Sequence, residues 1–233
     1  MTRLRAALCS SILAATALGA LAQQQGAPAG AGRGAPPAPG PTITVDGYTF
    51  TQLSLFQRNV GAPDEQTTQF PPHKIIGNLY YVGTGSLSSF LVTTPQGHIL
   101  INTTYERNVV YRGLQVQPAP AGVIQKSVEE LGFKFSDIKI VLGSHAHGDH
   151  MEGDAMAKQL SGGAQVMAMA EDVPALEAMK PGGKDHPVDR VLHDGDTVTL
   201  GGMTLTAHLT PGHTRGCTTW TMKVQEGGRS YDV

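Results

Sequence analysis

The stretch Ser144-His145-Ala146-His147-Gly148-Asp149-His150 places four potential metal ligands within six residues. Imidazole nitrogens and carboxylate oxygens are donors that zinc takes in proteins. The residues just before it, 138–143 (IKIVLG), are mostly apolar and rich in β-branched side chains, which predicts a short buried strand. We therefore expect the ligands on a loop at the end of a strand, where a rigid scaffold can hold reactive groups at the surface.

The spacing of these ligands predicts a site for two metal ions. His145 and His147 are two residues apart and can bind one ion if the backbone between them is extended. Asp149 and His150 follow Gly148 and can turn toward a second ion. A zincin helix would instead carry His-Glu-x-x-His, with its histidines four residues apart, and the sequence lacks that motif.

A second element, Thr210-Pro211-Gly212-His213-Thr214, follows a predicted strand over residues 203–209. Pro-Gly predicts a tight turn that presents His213 at its tip. His213 comes 63 residues after His150 (213 − 150 = 63), so only the fold can bring it to the first cluster. Alone, this histidine is typical of a surface position, but together with the first cluster it becomes a candidate ligand.

The amino terminus predicts an exported protein. Arg3 and Arg5 precede an apolar run over 6–21 that contains no acidic residue and ends in a small-residue cleavage site. This pattern predicts a signal peptide over 1–22 and a periplasmic protein, since the run is short for a membrane anchor. Removal of the signal peptide changes the net charge from −2 to −4, because it takes two arginines with it. A mildly acidic chain without a basic stripe argues against a nucleic-acid partner, and no membrane association is expected after cleavage.

The rest of the chain divides into a tether and one domain. Residues 23–41 are Gly, Ala, Pro and Gln without hydrophobic periodicity, which predicts a disordered tether. From residue 42 to 233, strands come first and strand–helix units follow, a pattern that predicts helices packed on a mainly β centre. Cys217 is the one cysteine left after cleavage, so we expect no internal disulfide. The predicted strands lie at 75–82, 89–93, 98–102, 138–143, 164–167, 198–200, 203–209 and 217–224, and the predicted helices at 123–131, 151–160 and 171–179.

The ligand motifs resemble those of the metallo-β-lactamase superfamily. His145-Ala146-His147-Gly148-Asp149-His150 and Pro211-Gly212-His213-Thr214 carry the resemblance. Within the superfamily the chain looks most like the subclass B3 metallo-β-lactamases, and the resemblance runs from about residue 70 to the last residue. The stretches that support the subclass are 77–83 (GNLYYVG), 97–103 (GHILINT), 144–147 (SHAH) and 212–220 (GHTRGCTTW).

The resemblance implies an α/β fold, an αβ/βα sandwich with two zinc ions at the lip between its sheets. His145, His147 and His213 would bind the first zinc, and Asp149 and His150 the second. A zinc-bound hydroxide would be the nucleophile, because zinc lowers the pKa of bound water to about 7. Asp149 would also act in catalysis by orienting that hydroxide. The expected substrate is a small molecule, the β-lactam of an antibiotic, so the resemblance also implies a role in antibiotic resistance.

The carboxyl-terminal end departs from the family pattern. No histidine follows His213, whereas the second zinc of the family takes one more histidine from a later loop. The second half of the sandwich would also lie beyond Val233, and residues 230–233 resemble a strand cut midway. We therefore expect a C-terminally incomplete domain that holds at most one zinc well. Sequencing the gene past codon 233 tests this, since an in-frame stop there would contradict it.

Two alternatives to a β-lactamase remain open at this point. One is a different zinc hydrolase on the same scaffold, such as a thioesterase or a lactonase, and the other is an inactive fragment. The residue that would separate lactamase from thioesterase is expected beyond Val233. Export and the strand that contains Trp220 favour the lactamase, and the oligomeric state is left undetermined.

Several other polar residues are predicted to be solvated. Glu152 and Asp154 are interpreted as exposed charges that complement the dipole at a helix amino terminus. Cys217 is interpreted as a small core residue. The histidines predicted to face solvent are His73, His98, His186 and His193.

Overall fold

The fold is seen in a computed structural model that describes residues 42–45, 47–51, 65–66, 68–105, 109–111, 114–116 and 121–233. The predicted signal peptide and tether, residues 1–41, lie outside the described residues. The described residues belong to one unit that spans Gly40–Val233. Within them, no helix is long and apolar enough to cross a membrane.

Strands outnumber helices in the described part of the chain. The strands are β1 Thr42–Val45, β2 Tyr48–Thr51, β3 His73–Ile76, β4 Leu79–Tyr81, β5 Phe90–Thr94, β6 Gly97–Ile101, β7 Val109–Tyr111, β8 Leu114–Val116, β9 Ile138–Leu142, β10 Gln165–Met169, β11 Arg190–Leu192, β12 Thr197–Leu200, β13 Met203–Leu209, β14 Thr218–Glu226 and β15 Arg229–Asp232. The α-helices are α1 Ala121–Glu130, α2 Gly148–Met151, α3 Asp154–Leu160 and α4 Val173–Ala178. Short 3₁₀ helices cover Phe135–Asp137, Ala170–Asp172 and Pro181–Gly183.

Seven strands form the main sheet, in the order β11-β10-β9-β6-β5-β4-β3. The first four of these pair in parallel, and the others are antiparallel. All five residues of β6 are buried, because helices cover one face of the sheet and a second sheet covers the other. The parallel strands β6, β9, β10 and β11 all end at the same edge, so the loops that follow them lie side by side.

The side chains of β6 alternate between two cores. Leu100 packs with Ile124 and Val128 of helix α1 on one face of the sheet. Ile99 and Ile101 point the other way and pack with Leu205 of the second sheet. This period of two explains why an unbroken apolar sequence forms a strand that is buried on both faces.

The second sheet is antiparallel, in the order β12-β13-β14-β15. The predicted strands over 198–200, 203–209 and 217–224 are confirmed as β12, β13 and β14. The strand expected to begin at residue 230 is confirmed as β15, which pairs with β14. Val233 continues this pairing with two backbone hydrogen bonds to Met222, of 2.8 and 2.9 Å.

The predicted single strand over 75–82 is wrong, because the chain reverses within it. Strands β3 and β4 form an antiparallel hairpin around Gly77-Asn78. Gly77 has a φ of 55°, in the left-handed region that favours glycine. A Cβ at this position would also lie 2.8 Å from the carbonyl oxygen of Gln225. The turn therefore depends on one glycine that a strand pattern does not reveal.

The predicted helix over 151–160 is also wrong in its extent, because it is broken. Helix α2 ends at Met151 and α3 begins at Asp154. Gly153, between them, packs so closely on the loop after β6 that a Cβ would lie 2.7 Å from the Thr103 carbonyl oxygen. The break therefore lies where the chain contacts that loop.

Candidate metal centre

The loop that carries His145 and His147 follows β9 and is fixed at three points. The indole Nε1 of Trp220 donates to the Gly143 carbonyl at 3.0 Å. The Ser144 N–H donates to Asn102 Oδ1 at 2.9 Å, and the Ser144 carbonyl accepts from the Thr218 N–H at 2.8 Å. The loop is therefore held by β14 of the second sheet and by the end of the neighbouring strand β6.

His213 reaches the same place from the end of β13. Its loop closes through a hydrogen bond from the Thr210 N–H to the Cys217 carbonyl, at 2.8 Å. His147 Nδ1 and His213 Nε2 lie 2.9 Å apart, so one of these ring nitrogens donates to the other. The fold thus brings the two predicted motifs into contact.

The five predicted site residues form two groups that share His145. One group is His145, His147 and His213, and the other is His145, Asp149 and His150. In each group the candidate donor atoms all lie within 4.8 Å of one another. A tetrahedral zinc with Zn–N distances of 2.0–2.1 Å holds its donors about 3.3 Å apart. A bound ion would therefore draw these donors together by at most about 1.5 Å (4.8 − 3.3 = 1.5).

Two of the imidazoles have ring nitrogens that are available to bind a cation. His145 Nε2 and His150 Nδ1 are buried and have no hydrogen-bond partner among the described residues. Buried polar atoms are seldom left unpaired unless an ion or water takes the place of a partner. The other nitrogen of His145 lies 3.1 Å from the Ser144 hydroxyl, which orients the ring. This donor set therefore fits a metal ion.

Burial keeps these imidazoles neutral, which is the form that binds metals. Burial, together with the smaller effect of the positive charges that His150, His147 and His213 can carry, lowers the pKa of His145 to about 4. Burial also lowers the pKa of His150, against the opposing effect of the Asp149 carboxylate. No proton therefore needs to be displaced from either ring at neutral pH.

The loop after β6 holds the backbone of the segment that carries Asp149 and His150. The Thr103 and Thr104 N–H groups donate to the His150 carbonyl, at 2.7 and 3.2 Å. Asn102 and Thr104 have φ values of 65° and 60°, in the left-handed region that residues other than glycine rarely adopt. Such strain persists only where the surroundings hold the backbone, as often at functional sites.

A buried polar network is bonded to that loop. Three of the residues in this region are predicted to be solvated, and those predictions are wrong. Asp154 is fully buried and Glu152 is 1% exposed, so the interpretation of both as solvated helix charges is wrong. His186 is also buried, and its Nε2 lies 3.2 Å from Asp154 Oδ2 and 2.9 Å from the Met151 carbonyl oxygen. The Thr103 hydroxyl donates to Asp154 Oδ1 at 2.6 Å. These partners come from distant segments, so the local sequence does not show that the charges are paired.

The other predicted surface histidines differ in their burial. His98 is 8% exposed and packs edge-on against Phe133, with ring centroids 5.2 Å apart, so its prediction is wrong. His73 and His193 are exposed, as predicted. Cys217 is half-buried, and its thiol is free.

Comparison with known proteins decides the family. A sequence profile of the metallo-beta-lactamase superfamily matches residues 82–225, more than half of the chain. The chain belongs to this superfamily. The resemblance noted in the sequence is therefore confirmed, and so is the fold class predicted from it.

Metallo-beta-lactamases, some of them of subclass B3, are among the similar solved structures. The native FEZ-1 metallo-beta-lactamase from Legionella gormanii is 48% identical, with a TM-score of 0.63, over 72% of this chain and 63% of that one. The class B3 di-zinc metallo-beta-lactamase LRA-12 from an Alaskan soil metagenome is 33% identical, with a TM-score of 0.62, over 72% of this chain and 62% of that one. This chain therefore spans less than two thirds of the length of these enzymes.

A thioester hydrolase is also among the relatives. The hydroxyacylglutathione hydrolase of Methylobacterium nodulans is 33% identical over 93 residues, which is 40% of this chain and 31% of that protein. The superfamily binds metal ions, and the histidine cluster lies where the two ligand motifs meet. The roles of the individual residues stay predictions.

Proposed function

We propose that this chain is a zinc-dependent hydrolase of the B3 type that opens the amide bond of β-lactams. In this proposal His145, His147 and His213 bind one zinc ion, and Asp149 and His150 are candidate ligands of a second ion. The observation that carries the proposal is the convergence of two ligand motifs at one edge of a metallo-beta-lactamase fold, although His150 and His213 are 63 residues apart in sequence (213 − 150 = 63).

The protein groups have defined tasks in this reaction. Bound zinc would lower the pKa of water to about 7, which would supply a hydroxide nucleophile at neutral pH. Ser144 holds the His145 ring so that Nε2 faces the site. Asp149 is partly exposed, so its carboxylate can accept a hydrogen bond from the attacking water and orient it. No serine or cysteine nucleophile is required.

The relatives favour a β-lactam over a thioester. The likeness to the FEZ-1 enzyme is both closer in identity and longer than the likeness to the hydroxyacylglutathione hydrolase, 48% over 72% of the chain against 33% over 40%. Thioester hydrolysis is the second candidate, because the same donor set could activate water beside either carbonyl.

Substrate turnover separates the two candidates. Purified, zinc-loaded protein should hydrolyse nitrocefin and imipenem, and a chelator should abolish the activity until zinc is restored. Hydroxyacylglutathione thioesters and lactones serve as the competing substrates. Clear thioester or lactone hydrolysis without β-lactam turnover would overturn the proposal in favour of the second candidate.

We also propose that residues 1–22 direct export to the periplasm and that residues 23–41 tether the domain. The support is the arginine pair, the apolar run and the small-residue cleavage site of the sequence. Amino-terminal sequencing of protein from a periplasmic extract should begin at Gln23. An intact Met1 on protein from the same extract would contradict this.

A further inference from the structure

We propose that Asp172 is a positioning residue whose carboxylate fixes the position of the His145–His147 loop relative to the loop that carries His213. The inference rests on the proposed zinc site and adds to it a residue that the ligand motifs do not contain. Asp172 ends the 3₁₀ helix that follows β10, the strand beside β9 in the main sheet. It is 3% exposed, so water does not supply the partners of its carboxylate.

The two carboxylate oxygens accept hydrogen bonds from both ligand loops. Oδ2 accepts from the Ala146 N–H and from the Thr214 hydroxyl, each at 2.8 Å. Oδ1 accepts from the Gly216 N–H, also at 2.8 Å. Ala146 stands between His145 and His147, and Thr214 directly follows His213. One side chain is thus bonded to residues adjacent to all three members of the first donor group.

Gly216 provides a second observation that this contact is built into the fold. A Cβ on Gly216 would lie 2.6 Å from Asp172 Cγ and 2.7 Å from Asp172 Cβ. Atoms of a real side chain do not approach so closely, so any larger residue would push the carboxylate and the loop apart. Gly216 does not have a positive φ. Its lack of a side chain therefore serves the close approach to Asp172.

The physical role of Asp172 follows from what it connects. The His145–His147 loop extends from the seven-stranded sheet, and the His213 loop extends from the four-stranded sheet. Hydrogen bonds to a carboxylate are shorter and about twice as strong as neutral ones. A zinc site tolerates ligand distances within only about 0.2 Å of their ideal values. A single charged acceptor between the loops therefore fixes the relative position of ligands that the two sheets supply separately.

Zinc affinity tests this role directly. Asp172→Asn keeps the size of the side chain but presents an NH₂ group to at least one of the three donors. We expect its zinc affinity, measured by competition with a chromophoric chelator, to fall about 10–100-fold, as for other residues that orient metal ligands. Asp189→Asn is the matched control, because Asp189 accepts from the Val166 N–H of β10 but touches neither ligand loop. We expect the affinity of this control to equal that of the wild type.

A zinc-dependent shift in melting temperature separates positioning from simple stabilisation. A structural role alone would lower the melting temperatures of the metal-free and zinc-bound proteins equally, whereas positioning reduces the increase that zinc produces. Thr214→Val removes one donor, preserves the shape of the side chain and should show a smaller effect in the same direction, which serves if Asp172→Asn does not fold. Unchanged zinc affinity in both variants, or an equal loss in Asp189→Asn, overturns the inference. Wild-type protein that binds no zinc would instead overturn the proposed function.

Discussion

Removal of the Asp154 carboxylate should destabilise the domain strongly, although Asp154 is not a proposed ligand. Asp154→Ala deprives the Thr103 hydroxyl and the His186 imidazole of a buried partner, at 2.6 and 3.2 Å. The loss of one member of a buried ion pair costs about 3–5 kcal/mol. A separate count gives a similar figure, since two hydrogen bonds to a charged group contribute about 1.5–3 kcal/mol each.

Urea unfolding measures this loss. With a urea m-value of about 2 kcal/mol/M, a decrease of about 3–5 kcal/mol lowers the midpoint by about 1.5–2.5 M. The matched control is Asp185→Ala, because Asp185 pairs with Lys180 in the same segment as His186 but is exposed. Exposed ion pairs contribute little, so the midpoint of this control should equal that of the wild type.

A midpoint shift of less than about 0.5 M in Asp154→Ala would correspond to only about 1 kcal/mol and would refute the reasoning. An equal shift in Asp185→Ala would refute it too, because the effect would then not depend on burial. The prediction matters for the proposed centre, since Thr103 connects Asp154 to the backbone of His150.

Three further predictions follow from individual contacts. His147→Ala should abolish zinc binding by the first donor group together with hydrolysis, and an unchanged zinc stoichiometry by mass spectrometry would contradict the ligand assignment. Burial lowers the pKa of His186, but the hydrogen bond and charge of Asp154 outweigh it and raise the pKa above 6.5. The stability that the raised pKa of His186 contributes is therefore present near pH 6.5 and is lost as the pH rises through that pKa, so the urea midpoint advantage of wild type over His186→Gln should shrink as the pH is raised above neutral. An advantage that grows would contradict this. Trp220→Phe leaves the Gly143 carbonyl without its 3.0 Å donor and should cost about 1 kcal/mol, seen as a melting temperature about 2–4 °C lower; an unchanged melting temperature would show that this hydrogen bond contributes nothing.

The ligand loop and the main strands could be predicted because their signals are local. Residues 138–143 are mostly apolar and rich in β-branched side chains, and the structure forms β9 there. The apolar run of β6 and the Pro-Gly turn before His213 are likewise properties of a few adjacent residues. The strand patterns were therefore sufficient to place both ligand motifs at strand ends.

The supporting groups could not be predicted, because their partners are distant in sequence. Asp172 has the same local appearance as other acidic residues near a helix start, yet its partners lie 26, 42 and 44 residues away. Asp154 and His186 resemble solvated residues until the fold buries them against each other. The hairpin at Gly77 and the helix break at Gly153 arise from close contacts with Gln225 and Thr103, respectively. In each case tertiary contact overrides the local pattern.

The origin of the three histidines in two separate sheets has a consequence for the time course of folding. His145 and His147 take their places when the parallel strands of the main sheet pair, and His213 does so only when the sheet that contains β13 and β14 packs against the main sheet. Contacts between residues so far apart in sequence form late, because a long loop must close first. The complete donor set therefore exists only at the end of folding. The rate at which the refolding chain takes up a metal ion would then report the completion of its topology, after most of its secondary structure is already present.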